Sequence, residues 1–215
     1  MLVVIAAMQK EADTLINLST IKKSYSLGGK KIYQASAFNK DFYLIVWGIG
    51  KVSAAMATQL AIDKLGADKL LNIGVAGGIL SDMKIGQIYS IDKAVQYDFD
   101  LCQVNGTQIG TLDEYSTPYL LCNAISAFPV TTLATGDRFN DNTQDLSILA
   151  QLNAGIRDME GGAIAQVALT NKIPLYMVKC ISDVVGSDCV QQYKDNLVRA
   201  LGNLSNAMQK IFLEI

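Results

Sequence analysis

Leu70-Leu71-Asn72-Ile73-Gly74-Val75-Ala76-Gly77-Gly78 is the stretch on which the fold turns. Its apolar first half, Leu70–Val75, is too short for a helix and reads as a buried strand. The glycines at its end have two readings. They let backbone approach a ligand closely, or they simply stop the strand.

The same alternation runs outward in both directions. Upstream, Leu2–Ala7 reads as a first strand and Glu11–Leu18 as a short helix. Lys31–Phe38 and Phe42–Trp47 alternate around Asn39-Lys40, which predicts a hairpin. Gly50–Leu65 carries one apolar face of Val52, Ala55, Met56, Leu60, Ile62 and Leu65, which predicts a helix. Downstream, Ile85–Tyr97 reads as one or two strands, and Asn105–Thr117, rich in Gly, Thr and Asn, as a loop or lid. Tyr119–Ala127 is expected to be helical, Thr131–Ala134 a short strand stopped by Gly136, and Leu146–Leu152 a helix. A helix over Gly161–Leu169, a central strand over Leu175–Ile181 and a helix over most of Val190–Phe212 complete the series. Strands alternating with helices predict an α/β sandwich, largely parallel at its centre. Nothing divides residues 1–215, so one domain is expected.

Composition narrows the functional classes. The chain has 215 residues, of which 50% are hydrophobic and 18% charged, and its net charge is −2. That content can bury a large core and excludes disorder. No basic run suits a nucleic-acid partner. Leu2–Met8 is too short to span a membrane, and no basic stretch precedes it as in a signal peptide. Cys102, Cys122, Cys180 and Cys189 lack C-x-x-C spacing, so thiols in a cytoplasmic setting are expected rather than a metal site.

The sequence holds no histidine. Acid–base chemistry at neutral pH then falls on carboxylates, or on a shifted Lys, Cys or Tyr. Three acids recur at or near the ends of strand-like runs. They are Glu11 in Met8-Gln9-Lys10-Glu11, Glu160 in Asp158-Met159-Glu160-Gly161-Gly162-Ala163, and Asp183 in Cys180-Ile181-Ser182-Asp183. Ligands of such sheets bind at the carboxyl ends of strands. Carboxylates held there suit glycosidic cleavage, in which one protonates the leaving group, one activates water and one binds sugar hydroxyls. Each acid also has a structural reading: Glu11 and Glu160 as first-turn residues favoured by a helix dipole, Asp183 as an N-cap. Gly48-Ile49-Gly50-Lys51 is not a phosphate-binding Walker loop, because Ile45 and Val52 occupy two of its defining positions. It reads as a tight strand-to-helix turn.

Taken together, Ala6-Ala7-Met8-Gln9-Lys10-Glu11, Gly48-Ile49-Gly50-Lys51-Val52, Gly74-Val75-Ala76-Gly77-Gly78, Tyr97-Asp98-Phe99-Asp100, Thr135-Gly136-Asp137-Arg138-Phe139, Asp158-Met159-Glu160 and Ile181-Ser182-Asp183-Val184 resemble the nucleoside phosphorylase superfamily. The resemblance is greatest to its hydrolytic branch, the methylthioadenosine/S-adenosylhomocysteine nucleosidases. It implies a three-layer α/β sandwich with a mixed, twisted central sheet flanked by helices, and a homodimer. It implies hydrolysis of an adenosyl N-glycosidic bond with no cofactor and no metal. Asp183 would protonate N7 of adenine, Glu11 would deprotonate the attacking water, and Glu160 would hold the ribose hydroxyls. Phe139 would stack on the base, with backbone of Phe139 and Asn140 reading its edge and Met159 beneath the ribose. Met8, Ile49, Leu101, Val104 and Tyr193 would enclose the 5′ substituent, helped by a second subunit.

Three positions depart from the family pattern. Val75 stands where serine is frequent, Lys179 where arginine is frequent three residues before Ser182-Asp183, and Asn140 where an aliphatic residue is usual. The serine and arginine of the pattern help hold the water. Two alternatives stay open: a phosphorylase or a nucleosidase of another base preference on the same fold, with Arg138 and Lys179 as the available cations, and a non-catalytic nucleoside binder.

Overall fold

The computed structural model describes residues 1–139, 144–186 and 188–215. Strand β1 is Leu2–Ala6, followed by helix α1 at Gln9–Ile16, β2 at Thr20–Leu27, β3 at Lys30–Ala37 and β4 at Lys40–Val46. Then come α2 at Lys51–Leu65, β5 at Lys69–Gly78, β6 at Ile88–Gln96 and the single-turn α3 at Cys102–Asn105. The chain continues with β7 at Leu120–Leu121, β8 at Val130–Thr135, α4 at Gln144–Gln151 and β9 at Ile156–Asp158. It ends with α5 at Gly161–Thr170, β10 at Leu175–Val184 and the long α6 at Cys189–Glu214.

The strands form one mixed ten-stranded sheet. Strand β5 organises it. Its first half lies between β1 and β10, both parallel to it. Pairing with β1 ends at Ile5 opposite Asn72, and from Gly77 the vacated edge is taken by β9, running antiparallel. Strand β9 pairs with β8, β8 with β6, and β6 with β10, so the sheet curls back onto β5. The turn between β1 and α1 is therefore left facing the stretch of β5 that neither β1 nor β9 pairs with.

Side-chain alternation along β1 explains the layers. Val3 and Ile5 join an apolar cluster with the alanines of α2 and α5. Val4 and Ala6 point the other way, into a cluster with Ala12 and Leu15 of α1 and the inner face of α6. Each strand thus serves two cores, as the period of two requires. On α6, Leu197, Ala200, Leu204, Ala207, Met208 and Ile211 are buried at three- and four-residue spacing. Phe212 closes the far end, its ring 5.4 Å from both Phe38 and Phe42.

Several expectations need correction. The hairpin turn falls one residue earlier than Asn39-Lys40. Ala37 pairs with Lys40, and Phe38 and Asn39 take φ values of 50° and 62°, the left-handed pair of a two-residue turn. Tyr119–Ala127 is not helical. Leu120–Leu121 pairs with β6, and Asn123 bridges to Tyr176 of β10. Leu120 and Ile125 are buried in different clusters, so tertiary anchoring overrides local helix preference. Strand β2 is additional. It is an edge strand with lysines and no buried side chain, so no alternating pattern marks it. Strand β9 is three residues long, below the reach of any periodicity. The loop Asn105–Thr117 is held down by Leu112, buried in the larger cluster, and by a Gly110 N–H donated to the Phe99 carbonyl.

Phe212 is fully buried and touches two further rings, so Phe212→Ala should leave a cavity at the end of α6. Loss of about 3–5 kcal/mol of unfolding free energy is expected. Urea denaturation of the two proteins measures it, and a loss below about 1 kcal/mol would show that this end of α6 is not part of the core.

Candidate active site

The middle of β5 has room for carboxylates because Gly74 and Gly77 have no side chains. A Cβ at Gly74 would stand 2.5 Å from Glu11 Oε1, and one at Gly77 would stand 2.8 Å from Asp183 Oδ2. Any other residue would displace an acid. Glu11 reaches this spot from the first turn of α1. Its Oε2 accepts the Met8 N–H at 2.9 Å and its Oε1 accepts the Val75 N–H at 2.9 Å. The helix-start reading is thus half correct: one oxygen serves the turn, and the other ties α1 to β5.

Asp183 lies in β10, not at a helix start, since α6 has Asp188 at its N-cap. A register shift between Ile181 and Asp183 sets it opposite Gly77. The Ser182 hydroxyl donates to its Oδ1 at 2.7 Å and fixes the carboxyl's orientation.

Glu160 is the N-cap of α5, yet its side chain makes no capping bond. Other groups satisfy the helix start. Asp158 Oδ2 accepts the Gly161 N–H at 2.9 Å, and the Thr135 hydroxyl oxygen accepts the Gly162 N–H at 2.7 Å. Glu160 is thereby released to turn away, and its Oε1 accepts the Gly50 N–H at 2.9 Å.

These acids line one cavity of about 350 Å³, together with Met8, Ile49, Val75, Phe139, Met159, Ser182 and Tyr193. The structure therefore brings together most of the residues expected from the sequence. Phe139 and Tyr193 meet edge to face, with ring centroids 5.4 Å apart. The Tyr193 hydroxyl lies 3.5 Å from Met8 Sδ.

Leu101 and Val104 stand apart. Leu101 precedes α3 and Val104 lies on it, 81% exposed, and neither lines the cavity of this chain. Asn140 lies outside the described residues. Lys179 does not line the cavity either, and it is not an available cation. It is 2% exposed and its ammonium lies 2.9 Å from Asp158 Oδ2.

Four residues escaped the sequence reading. Asp158 is the partner of Lys179 and the cap of α5; its place two residues before Glu160 was the available signal. Arg157 also lines the cavity and donates from Nη2 to Cys189 Sγ at 3.6 Å. A lone arginine in an apolar segment marks it. Val190 and Lys194 line the cavity from α6 and show no distinguishing pattern.

Burial sets the electrostatics. It raises the Glu11 carboxyl above its ordinary range, against the lowering effect of the Lys179 charge and of the two N–H donors. It pushes Glu160 up to about 7, reinforced by the negative charge of Asp158 and opposed by Lys179 and the Gly50 N–H. Burial alone would lower the Lys179 ammonium; the charges of Asp158, Glu160 and Glu11 outweigh it and raise it instead. Lys179 is thus a fixed cation among three carboxylates.

A cavity at the carboxyl ends of strands, walled by apolar side chains and armed with buried acids, defines a site for a nucleoside-sized ligand. The chain belongs to the phosphorylase superfamily, whose family model matches residues 1–215. The 5'-methylthioadenosine/S-adenosylhomocysteine nucleosidase of Buchnera aphidicola (subspecies Acyrthosiphon pisum, strain Tuc7) is 32% identical over 98% of this chain and 96% of its own length. The enzyme of that name from Colwellia psychrerythraea is 30% identical over 94% of this chain and 91% of its own. A crystal structure of the Colwellia nucleosidase in complex with adenine superposes with a TM-score of 0.91, covering 99% of this chain and 94% of that one. No helix among the described residues is long and apolar enough to cross a membrane.

The raised Glu160 carboxyl makes a prediction about stability. Between its ordinary pKa near 4.5 and about 7, the folded chain holds a proton that the unfolded chain has lost. Stability should therefore fall as pH rises through that window. In Glu160→Gln the fall should be shallower, though not absent, because Glu11 is raised in the same direction. Urea midpoints at pH 5 and pH 7.5 test this; an equal slope in parent and variant would contradict it.

Proposed function

We infer that this protein hydrolyses the N-glycosidic bond of 5'-methylthioadenosine or S-adenosylhomocysteine, releasing adenine and the thioribose. The observation that carries the reading is the convergence of Glu11, Glu160 and Asp183, all buried, on one apolar cavity. The family match and the named relatives support it.

In this reading the adenine end of the substrate lies against Asp183. Adenine leaves poorly as an anion, so a proton delivered to N7 must accompany bond cleavage. Phe139 packs against the base and Met159 beneath the ribose. Glu160, ionised, accepts from the ribose hydroxyls and faces the positive charge that develops at C1′. Glu11 takes the proton of the attacking water. Its two N–H donors fix the carboxylate while each oxygen keeps a lone pair for that water. Its raised pKa makes it a stronger base than an exposed glutamate. Lys179 acts at one remove. It holds Asp158 and lowers the cost of keeping Glu11 and Glu160 charged in a dry site. Val75 contributes its backbone N–H to Glu11 rather than a hydroxyl to the water.

Water is favoured over phosphate as nucleophile by the state of the two cations expected for an anion site. Arg138 pairs with Asp145 at 3.1 Å, and Lys179 is occupied by Asp158. Of the other cations that line the cavity, Arg157 lies across Gly77 from Asp183, at the end that the base would take, and Lys194 follows Tyr193 on α6, beside the wall assigned to the 5′ group. The chemistry and the Cys102, Cys122 and Cys180 thiols suit a cytoplasmic protein, with residues 1–215 acting as one unit.

The products decide the reaction. Incubation with methylthioadenosine should yield adenine and free methylthioribose at a rate independent of added phosphate. Glu11→Gln and Asp183→Asn should each lower turnover by about 10² or more, as expected for lost proton-transfer groups. A ribose 1-phosphate product would move the protein to the phosphorolytic reading. Near-parent activity in both variants would remove these residues from the chemistry.

A homodimer accounts for the residues left outside the cavity. Val52 and Val104 are exposed apolar side chains at 82% and 81%, and Ile49 of the cavity wall is itself 56% exposed. In this arrangement Leu101 and Val104 of the partner subunit would complete the wall around the 5′ group. Sedimentation equilibrium at micromolar concentration should report a dimer, and Val104→Asp should shift it toward monomer. A parent chain that sediments only as monomer would overturn the arrangement.

A further inference from the structure

The cavity does not end at its apolar wall. Met8, Tyr193 and Lys194 also line a second groove of about 410 Å³, completed by Gln9, Lys10 and Leu197. The two spaces share one partition, formed where the Tyr193 hydroxyl meets Met8 Sδ.

Their charges are opposite. The inner cavity is acidic on balance, with Glu11, Asp158, Glu160 and Asp183 set against Arg157 and the shared Lys194 in its lining. Among the described residues, the lining of the groove contains Lys10 and Lys194 and no carboxylate. Lys10 lies in the first turn of α1, one residue before Glu11, and Lys194 lies on α6, one residue after Tyr193. The same two helices that form the apolar wall therefore present two ammonium groups just beyond it. Neither lysine enters an ion pair among the described residues.

We propose that this groove is a subsite for a carboxylate carried on a long 5′ substituent, with Lys10 and Lys194 as its cationic partners. The proposal rests on the nucleosidase reading above and gives it a direction. With the base at Asp183 and the sugar between Glu11 and Glu160, the 5′ carbon points toward Met8 and Tyr193. A thiomethyl group ends at that wall. An amino-acid thioether continues past it, and its carboxylate enters the groove where the two lysines stand. Ammonium groups are flexible point charges, so they suit a carboxylate at the end of a mobile chain rather than a fixed fork. The acids inside the cavity repel the same carboxylate, which keeps the long substrate from entering tail first.

Three nucleosides test the subsite: methylthioadenosine, S-adenosylhomocysteine and the 5′-(3-aminopropyl)thio analogue, which keeps an amine tail but lacks the carboxylate. In the Lys10→Gln/Lys194→Gln double variant, kcat/KM for S-adenosylhomocysteine relative to methylthioadenosine should fall roughly three- to tenfold, the range of solvent-exposed ion pairs. The ratio for the aminopropyl analogue should not fall. Raising the salt concentration should erode the parent's ratio toward that of the variant, because exposed charges are screened. Equal ratios in parent and variant, or an equal loss for the analogue without the carboxylate, would overturn the subsite. A parent that cleaves none of the three would instead sink the nucleosidase reading, and this inference with it.

Discussion

The ion pair between Lys179 and Asp158 is the interaction on which the site depends. Four carboxylates gather where β5 emerges from between its neighbours, and charges of one sign cannot be buried together without a counter-charge. Lys179 supplies it from inside β10. Asp158, the carboxylate it touches, is not one of the three assigned to chemistry. It is instead the group that receives the start of α5 and the Thr135 hydroxyl. The pair thus joins β8, β9, β10 and α5 at one point. It also acts through charge on the Glu11 and Glu160 carboxyls, and Asp158 Oδ1 accepts the Glu160 backbone N–H at 3.2 Å. An arginine could fork toward two acids at once; a lysine makes one close contact and leaves the others to act at a distance.

Much of this was legible in the sequence, for identifiable reasons. Runs such as Leu2–Ala7 and Leu70–Val75 are buried on both faces, so their composition alone marks them as strands. The long α6 shows its apolar face because only one side of it meets the sheet. Glu11, Glu160 and Asp183 stood out through their position after such runs. The failures have physical causes as well. Strand β2 contributes little to the core, so its sequence records almost nothing of its pairing. Leu120 and Ile125 are held by distant partners, which local pattern cannot reveal. Lys179 was recognisable as a cation in the site, but not that it is fully engaged, since its partner comes from a strand of three residues.

The bland readings of the acids were informative in their own right. Glu11 does serve a helix start, as its position in the first turn suggested, and serves β5 with the other oxygen. Glu160 occupies an N-cap position but is displaced from the task by Asp158 and Thr135. A side chain that could cap its helix, and is prevented from doing so by two others, is held for a different purpose. Asp183 owes its place to an irregularity in β10. None of these distinctions is visible until the strands are laid side by side.

Strand β5 divides the site into parts with different freedom to change. At positions 74 and 77 the strand accepts no side chain, because the acids already occupy that space. The catalytic constellation is in effect cast in backbone. The walls are not. Val75, Phe139, Val190 and Tyr193 reach the cavity from three separate segments, and none is among the hydrogen-bond partners described for Glu11, Glu160 or Asp183 through its side chain. Exchanging them alters shape and polarity while the acids keep their supports. A lineage with this architecture can therefore drift in what it admits without relearning how to cut, and differences among its members should accumulate on the walls before they touch the strand.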